Sequence, residues 1–428
     1  MRDQDPGRPD DAERRLTTKE AAELLGVKPE TVYAYVSRGR LGSRRTHDGR
    51  GSTFDAEEVR ALARRNRRDT GAPAASPASP ASPASGQELA VRTRITLIES
   101  DRYYYRGVDA VELAARHSYE EVAEWLWTGE LRSGAAFSAP ESSVTVARRA
   151  VGALPEHAAP TDRLRVAAIA AAVADPLRFD LSEDAVLGTA RILIPTLVAA
   201  LPPVVRDGDD RAPLAHRLWT RLSGRPADEP ILHALDTALS LLVDHDLAAS
   251  TLAVRVAASA RAHAYAAVSA GLGVIEGPLH GAAGGLAHRM LLEVLDQGNA
   301  APVVAEELRA GRRIPGLGHR LYPGEDPRAR ALFALLEDIP RAAPALAAAR
   351  DVQATAARHT PLHANVDLAL AVLTASSGMA PSAAETIFAV ARTAGWIAHA
   401  LEEYGERPLR MRPSGLYTGP RPPQPLPE

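Results

Sequence analysis

A run of alanine, serine and proline at residues 71–86 most constrains how this chain can fold. It reads Gly-Ala-Pro-Ala-Ala-Ser-Pro-Ala-Ser-Pro-Ala-Ser-Pro-Ala-Ser-Gly and has no large apolar side chain with which to form a core. Such a composition favours an extended, semi-rigid linker. The 428 residues therefore divide into an N-terminal module (1–70), a linker (71–87) and a large C-terminal body (88–428).

The N-terminal module has the pattern of two short helices joined by a tight turn. Thr17 and Glu20 have the spacing of a capping box, and the helix that they begin should stop at Gly26. Pro29 suits the first turn of a second helix, which should end at Gly39. Two short helices joined by a glycine-containing turn form a helix-turn-helix.

This module resembles the winged helix-turn-helix of the MerR and excisionase type. The resemblance is carried by residues 16–27, 29–36, 39–41 and 54–59, the last of which fit a wing that returns into a third helix. It implies possible DNA binding through residues 17–68. A structural or protein-interaction role is the alternative, and the sequence does not decide between them.

Charge is distributed unevenly along the chain. The formal net charge is −3, but residues 1–70 hold 16 Arg and Lys against 13 Asp and Glu, a balance of +3, so the remainder carries −6. The basic excess lies at residues 38–50 and 60–68. Such a cluster is either a solvated helical face or a surface that faces DNA phosphates.

Composition narrows the class of protein. The chain has no cysteine, which excludes disulfides, thiolate zinc sites and thiol nucleophiles. Its N-terminus is polar and lacks the apolar core of a signal peptide. The longest apolar stretch, at residues 192–205, contains three prolines and is shorter than the roughly 20 residues that span a bilayer. We expect a cytoplasmic protein that does not enter the membrane.

The body should be mainly α-helical. Aromatic residues make up only 4% of the chain and alanine is abundant. Apolar residues recur at helical spacing over residues 112–127, 236–267 and 382–404. Two short β-like runs, at residues 91–97 and 103–105, precede these helices. The pattern predicts an all-α body with a small β element at its start.

Three segments of the body place an acid–base side chain among small or turn-forming residues. They are residues 277–281, 316–320 and 365–367, which contain His280, His319 and Asp367, respectively. Two imidazoles and one carboxylate can remove a proton from carbon, stabilise the resulting enolate and activate a second carbonyl. The set therefore suggests a carbon–carbon condensation that needs no metal.

The body resembles citrate synthase over nearly all of residues 88–428. Besides the three acid–base segments, the match rests on residues 93–96 with 105–107, 244–251, 316–329, 391–399 and 412–419, in the family's order. The resemblance implies a mainly α, two-domain citrate synthase-like fold, in which a small domain (about residues 280–372) is inserted in the large domain. It also implies an active site in the cleft between them and a tight homodimer.

The resemblance assigns a role to each acid–base residue. Asp367 matches the base that deprotonates the methyl group of acetyl-CoA. His280 matches the residue that hydrogen-bonds the thioester oxygen as the enolate forms. His319 matches the residue that polarises the ketone of oxaloacetate and protonates the new alkoxide. The citryl thioester is then hydrolysed, which drives the reaction forward.

The resemblance also assigns the substrate-binding residues. His245, Arg328 and Arg392 match contacts to oxaloacetate, and Arg412 matches an arginine that enters from the neighbouring subunit. Forked guanidinium donors suit a small dianion. Residues 314–320, with Ile314, Gly316 and Gly318, match the loop that receives the adenine of CoA. No metal and no cofactor beyond the substrate acetyl-CoA is implied.

Two departures from the family pattern affect substrate choice and rate. After His280 the family usually continues Gly-Gly-Ala-Asn-Glu, whereas residues 281–285 read Gly-Ala-Ala-Gly-Gly. Residues 413–415 read Pro-Ser-Gly where Pro-Arg-Gln is common. The leading hypothesis is a citrate synthase. The alternatives are a 2-methylcitrate synthase that uses propionyl-CoA, and a DNA-binding regulator whose synthase-like domain senses a metabolite.

Overall fold

The computed structural model describes two compact units. The described residues are 15–25, 27, 29–37, 41–45, 52–56, 58–60, 62, 91–205, 211–277, 280–413 and 417–424. The first unit spans Met1–Leu89 and the second spans Ala90–Glu428. The proposed linker (71–87), the predicted helix stops Gly26 and Gly39, and the basic residues at 64–68 lie outside the described residues.

The first unit contains two helices and a small antiparallel sheet. Its elements are β1 (Arg15–Thr17), α1 (Thr18–Leu25), α2 (Pro29–Ser37), β2 (Ser43–Arg45) and β3 (Ser52–Asp55). The strand order is β1-β3-β2, and residues 56, 58–60 and 62, which follow β3, are helical. The two predicted helices and the return of the wing into helical residues are therefore present.

Local signals in the sequence explain where α1 begins. The backbone N–H of Thr17 donates to the Glu20 carboxylate at 2.8 Å, and the N–H of Glu20 donates to the Thr17 hydroxyl at 3.3 Å. This is the reciprocal arrangement of a capping box. Leu16 and Phe54 face each other across β1 and β3, and they pack with Val32 of α2 into a small buried core.

The second unit opens with a short antiparallel sheet. It comprises β4 (Thr96–Glu99), β5 (Arg102–Tyr105) and β6 (Val108–Asp109). The first strand starts at Thr96, so the prediction of a strand from residue 91 was wrong at its beginning. The reason is a tertiary contact: the Arg94 N–H donates to the Glu402 carboxylate at 2.7 Å, outside any sheet.

The rest of this unit is helical. Its helices are α3 (Ala110–Arg116), α4 (Tyr119–Thr128), α5 (Glu141–Gly152), α6 (Pro160–Ala174), α7 (Glu183–Ala200), α8 (Leu214–Leu222), α9 (Glu229–Leu242), α10 (Ala249–Ser259), α11 (Ala264–Ile275), α12 (Ala283–Gln297), α13 (Ala300–Arg309), α14 (Pro327–Glu337), α15 (Ala343–Ala357), α16 (Val366–Ser376) and α17 (Ala383–Tyr404). Among the described residues, no helix combines the length and apolarity needed to cross a bilayer.

Helical periodicity correctly predicted that these stretches are helical, but it did not predict where one helix ends and the next begins. Residues 112–127 are divided between α3 and α4, because Ser118 caps α4 with a capping box that closes on Glu121. Residues 236–267 are divided among α9, α10 and α11. The break after α9 contains Asp246 in a left-handed conformation (φ 58°). Residues on either side of such a break keep their apolar spacing, so a periodicity argument does not detect it.

The long helix α17 passes through the core of the second unit. Its Trp396 is fully buried. Trp127 of α4 donates to the Ala394 carbonyl at 2.9 Å, and the Tyr119 hydroxyl donates to the Val390 carbonyl at 3.1 Å. Because α17 is fixed along its length by such contacts, it is a rigid support for any functional side chain that it carries.

Candidate active site

Asn365 joins two of the segments singled out in the sequence. It caps α16: its side-chain oxygen accepts a hydrogen bond from the Asp367 N–H at 3.0 Å. Its side-chain amide donates to the Gly318 carbonyl at 2.8 Å, and its own N–H donates to the Gly316 carbonyl at 2.9 Å. The loop at residues 314–320 is thereby fixed against the start of the helix that carries Asp367.

The glycines of this loop permit the close contact. Gly316 has φ +79°, and a Cβ there would lie 2.7 Å from the Leu368 Cβ. Gly318, also at positive φ, donates its N–H to the His363 carbonyl at 2.7 Å. Ile314 is buried in the core. The three residues predicted to contact CoA thus lie on one loop, and their contact with CoA remains a prediction.

A buried ion pair of Arg328 and Asp326 lies next to His319 of this loop. The Arg328 Nε and Nη2 atoms donate to the two Asp326 carboxylate oxygens at 3.0 and 2.7 Å. Burial would raise the pKa of Asp326, but the Arg328 guanidinium holds that pKa below its usual value. The pair leaves Nη1 of Arg328 without a hydrogen-bond partner among the described residues, and therefore able to bind a substrate oxygen.

His319 lies at the edge of this ion pair as a neutral imidazole. Burial, with a further contribution from Arg328, lowers the pKa of His319 to about 4. Its Nδ1 lies 3.1 Å from the Leu321 N–H and its Nε2 lies 3.3 Å from the Arg328 Nη2, and both of these neighbours can only donate. A neutral imidazole accepts at one nitrogen, so these two contacts alone do not assign the ring hydrogen. In the tautomer with the hydrogen on Nε2, His319 and Arg328 could both donate to one oxygen bound between them.

His245 brings a second imidazole to the same place. Its ring centroid lies 5.1 Å from that of His319, and its Nε2 is 2.8 Å from the Tyr322 hydroxyl. Burial, followed by Arg328 and Arg392, lowers the pKa of His245 well below its usual value. The predicted oxaloacetate contacts His245 and Arg328 and the predicted catalyst His319 are thus close together in one chain.

Arg392 is a buried cation without a carboxylate partner. Its Nε donates to the Leu242 carbonyl at 2.8 Å, and its guanidinium carbon lies 4.6 Å from the centre of the Phe388 ring. Among the described residues no carboxylate lies within ion-pair distance of it. Burial lowers the pKa of Arg392, and nearby Asp244 opposes that effect. An anionic ligand would supply the missing counter-charge.

Asp367 has the properties of a general base. Its half-buried carboxylate has no hydrogen-bond or ion-pair partner in the described parts of the chain. Burial raises the pKa of Asp367 to about 6, with Arg328 lowering it and Asp326 raising it to smaller extents. A carboxylate with a pKa near the working pH is still largely ionised there, and it binds a proton more strongly than an ordinary carboxylate does. A base that removes a proton from carbon needs both properties.

His280 lies beside Ser250 and Phe388. Its Nε2 lies 2.7 Å from the Ser250 hydroxyl, and its ring centroid is 6.0 Å from that of Phe388, which also contacts Arg392. Burial, with a smaller effect of Arg392, lowers the pKa of His280 to about 4. His280 is therefore a neutral hydrogen-bond donor at physiological pH.

Arg412 is placed differently from the other predicted residues. Its side chain is exposed, and its backbone N–H donates to the Leu409 carbonyl at 3.2 Å. The serine and glycine that distinguish residues 413–415 from the family pattern lie outside the described residues. Within a single chain, Arg412 makes no contact with the cluster around Arg328 and His319.

Sequence reasoning missed four residues that hold the site together. They are Ser250, Tyr322, Asp326 and Asn365. Each lies inside a segment already singled out, and the Asp-Pro pair at 326–327 is itself a helix-start signal. In the described parts of the chain, no group of three His, Asp or Glu side chains is arranged to hold a metal ion.

Comparisons with known proteins agree with this fold. Residues 86–414 match the family model for the citrate synthase C-terminal domain, and residues 15–67 match a helix-turn-helix domain. The citrate synthase of Haloferax volcanii is 32% identical over 357 residues, which cover 77% of this chain and 94% of that protein. The chain therefore belongs to the citrate synthase family, and it is a condensing acyltransferase that also carries a helix-turn-helix domain.

One solved structure and one further relative are also similar to this chain. The crystal structure of citrate synthase from Pyrobaculum aerophilum superposes with a TM-score of 0.67 at 27% identity, covering 79% of this chain and 93% of that one. A 2-methylcitrate synthase of Mycobacterium tuberculosis is 28% identical over 344 residues, covering 74% of this chain and 84% of that protein. The predicted mainly α, citrate synthase-like fold is confirmed.

Proposed function

We propose that this chain condenses acetyl-CoA with oxaloacetate and water to give citrate and CoA. The observation that carries the proposal is the position of Asp367, an unpaired carboxylate with a pKa raised to about 6, beside the Arg328–Asp326 pair. A base of this strength is suited to the weakly acidic methyl group of a thioester. The fold family supplies the reaction class.

The first step is removal of a methyl proton by the Asp367 carboxylate. The electron pair of the broken C–H bond moves toward the thioester, and negative charge develops on its oxygen. His280 donates a hydrogen bond to that oxygen. Ser250, 2.7 Å from the His280 Nε2, fixes the ring. A neutral imidazole suits this role, because the acidity of its N–H group is closer to that of an enol than the acidity of an imidazolium is.

The second step forms the carbon–carbon bond. The enolate carbon attacks the ketone carbon of oxaloacetate, and the ketone oxygen becomes an alkoxide. In the tautomer that carries the ring hydrogen on Nε2, His319 can donate that proton to the alkoxide oxygen, which would lie beside Arg328 Nη2. Water then attacks the citryl thioester, whose carbon–sulfur bond breaks to release CoA with a proton on sulfur.

The two buried arginines favour a dianionic partner. Arg328 is paired with Asp326, whereas no carboxylate of the described residues lies within ion-pair distance of Arg392, so the Arg392 guanidinium is free to bind a substrate carboxylate. Oxaloacetate would bring two carboxylates to the two arginines. Bidentate hydrogen bonds from a guanidinium fork orient a carboxylate as well as bind it, which would hold the ketone carbon in line with the enolate.

The test is release of the CoA thiol, measured with acetyl-CoA and oxaloacetate in metal-free buffer. We expect thiol release only when both substrates are present, and citrate as the product. Undiminished activity in Asp367→Ala would remove the proposed base. Thiol release without oxaloacetate would indicate a hydrolase instead.

The acyl group is the finer question, because acetyl-CoA and propionyl-CoA differ by one methylene. Such a difference is worth only about 1–3 kcal/mol of discrimination in an apolar pocket. The Mycobacterium tuberculosis relative is named a 2-methylcitrate synthase. Measuring thiol release from both acyl-CoA substrates at matched concentrations compares their kcat/KM values, and a higher value for propionyl-CoA would favour this second function.

A homodimer is part of the proposal. On one chain, Ile169, Val173, Leu177 and Phe179 expose more than half of their side chains. Large apolar side chains clustered on a surface usually mark a contact with another protein. Arg412 follows a segment that is anchored to the end of α10 by the hydrogen bond from the Leu409 N–H to the Ser259 carbonyl at 2.8 Å. It would extend into the partner's oxaloacetate site.

The helix-turn-helix domain supports a second role, in which the enzyme also binds DNA. The α2 helix (Pro29–Ser37) would enter the major groove, and arginines of the wing such as Arg44, which is exposed, would contact phosphates. A role in protein interaction is the alternative. Selection of duplexes from a random pool by the full-length protein at low salt distinguishes the two, since an interaction module enriches no sequence.

A further inference from the structure

One face of α17 carries a row of polar residues that leads away from Arg392. Arg392, Gly395, His399 and Glu402 are separated by three, four and three positions, which places them on the same side of a helix. This side faces residues 242–245, the segment that ends α9 and contains His245. The roles assigned above use only the first residue of the row, Arg392.

The contacts between this row and the facing segment are close along its length. Arg392 Nε donates to the Leu242 carbonyl at 2.8 Å. A Cβ at Gly395 would lie 2.1 Å from the Val243 carbonyl oxygen, so only glycine fits there. His399 Nε2 lies 3.2 Å from the Asp244 Oδ1. The backbone on either side of Asp244 is thus pressed against α17.

The hydrogen-bond direction in this row follows from Arg255. A guanidinium can only donate, and Arg255 Nη1 donates to His399 Nδ1 at 2.9 Å. The ring hydrogen of His399 is therefore on Nε2, which donates to the Asp244 carboxylate. Arg255 is in turn held by Glu402 at 2.7 Å and Glu403 at 3.3 Å. His399, Asp244 and Arg255 are all essentially buried.

Asp244 is held from the other side as well. The Thr96 hydroxyl of β4 donates to its Oδ2 at 2.5 Å, and the Tyr105 hydroxyl donates to its backbone carbonyl at 3.1 Å. Burial would raise the pKa of Asp244, but His399, Arg392 and Thr96 lower it below its usual value. Asp244 is thus a fixed carboxylate directly before His245 in the chain.

We infer that His399 is a positioning residue for the oxaloacetate site, and that Arg255 fixes the tautomer of its ring. His399 holds the Asp244 carboxylate, and through it sets the Leu242 carbonyl that orients Arg392 and the backbone that places His245. His399 does not itself touch substrate. The inference rests on the proposed function, since it assigns oxaloacetate to this site.

A purely structural role is the competing explanation. A buried network of charges is costly to desolvate and is often no more stabilising than apolar residues of similar volume. This network, however, ends on the residues that flank Arg392 and His245. A positioning role therefore predicts a change in oxaloacetate affinity that depends on which hydrogen bond of His399 is retained, and a structural role does not.

Two neutral substitutions of His399 separate its two hydrogen bonds. The amide of Gln reaches the place of Nε2, so His399→Gln retains a donor to Asp244. The amide of Asn reaches only the place of Nδ1, so His399→Asn retains the contact with Arg255 and loses that with Asp244. His288 is a suitable control, because it is equally buried and its Nδ1 contacts Thr374 rather than this network.

The experiment measures kcat, KM for oxaloacetate, and calorimetric binding of oxaloacetate for full-length wild type, His399→Gln, His399→Asn and His288→Asn. We expect KM to rise about tenfold in His399→Asn, with kcat within about threefold of wild type, because one hydrogen bond to a buried carboxylate is lost. His399→Gln and His288→Asn should keep the wild-type KM.

Equal KM values in His399→Asn and His399→Gln, whether raised or unchanged, would overturn the positioning role. Failure of the proposed function is a separate outcome: wild-type protein would then neither bind oxaloacetate nor release CoA in its presence. Thermal unfolding of each variant identifies one that does not fold. If His399→Asn is such a variant, Thr96→Val removes the other hydrogen bond to Asp244, and an unchanged KM there would overturn the inference.

Discussion

Asp326 holds the guanidinium of Arg328 through both carboxylate oxygens, and one of these oxygens also accepts a hydrogen bond from the Val366 N–H at 3.1 Å. A single buried carboxylate thereby links a candidate oxaloacetate arginine to the first residue of the helix that carries the candidate base Asp367. The two substrates would be bound on either side of this link, so their relative position depends on it.

Replacing Asp326 by Asn should both destabilise the protein and weaken oxaloacetate binding. The amide keeps the shape but not the charge, and Arg328 is left buried without a counter-ion, which costs about 3–5 kcal/mol of unfolding free energy. Urea denaturation and calorimetry with oxaloacetate measure the two effects. Glu337→Gln, at the far end of the helix that Asp326 caps, is the control, because its pair with Arg350 is exposed and should be worth less than about 1 kcal/mol.

The loss of activity at acid pH should follow the protonation of Asp367. Its pKa is raised to about 6, whereas those of His280 and His319 are lowered to about 4. The base is active when ionised, so log kcat/KM for acetyl-CoA should fall with a slope of one as pH decreases below about 6. Steady-state kinetics between pH 4.5 and 8.5 test this, and a midpoint near 4 would contradict the assignment.

Asp367→Asn should be inactive yet more stable than wild type at neutral pH. A carboxyl whose folded pKa lies above its unfolded value stabilises the fold below the unfolded pKa, and this contribution is lost as pH rises through the folded value of about 6. At pH 7 the ionised Asp367 is therefore unfavourable by about 3 kcal/mol, because its pKa is raised from 3.8 to about 6 and one pKa unit corresponds to about 1.4 kcal/mol. Asn removes that cost.

Thermal unfolding at two pH values distinguishes this explanation from a general packing effect. At pH 7.5 the midpoint of Asp367→Asn should exceed that of wild type by a few degrees. Near pH 4 wild-type Asp367 is protonated in the folded state, so the difference should shrink. A gain of equal size at both pH values would mean that charge is not its origin.

Local sequence signals predicted much of this molecule, and long-range contacts explain most of what they missed. The capping-box pattern of Thr17 and Glu20 and the helical spacing at 382–404 depend on neighbours in the chain, and both appear as predicted. The start of β4 was misplaced because Arg94 is bound by Glu402, which is 308 positions away. No local pattern contains such a contact.

The candidate site shows the same division between local and distant information. The residues His280, His319 and Asp367 were recognisable from short motifs. Their hydrogen-bond partners come from other parts of the chain and become neighbours only in the tertiary fold. Examples are Ser250, which contacts His280, and Asp326, which accepts from the Val366 N–H. Arg412 remains a prediction, because its role depends on a second chain.

Removal of residues 1–87 should separate the two proposed activities. The candidate catalytic residues lie in the second unit, so we expect kcat and KM within about twofold of the full-length values. Retention on DNA should be lost. In the full-length protein it should weaken steeply with added salt, because phosphate contacts release counterions. Gel-shift titrations at two salt concentrations measure this. DNA binding that survives the truncation would locate it in the body.

Arg412 should act across a dimer interface, which complementation between inactive chains can test. Arg412→Ala and Asp367→Ala are each expected to inactivate a homodimer. In a heterodimer of the two, one site combines the intact Asp367 of the first chain with the intact Arg412 of the second, and the other site has neither. Co-expression with two affinity tags yields that heterodimer, which should have about half the wild-type activity per dimer.

His319→Ala paired with Asp367→Ala is the control: both residues belong to one chain's site, so no activity should return. An inactive Arg412→Ala/Asp367→Ala heterodimer would place Arg412 in its own chain's site.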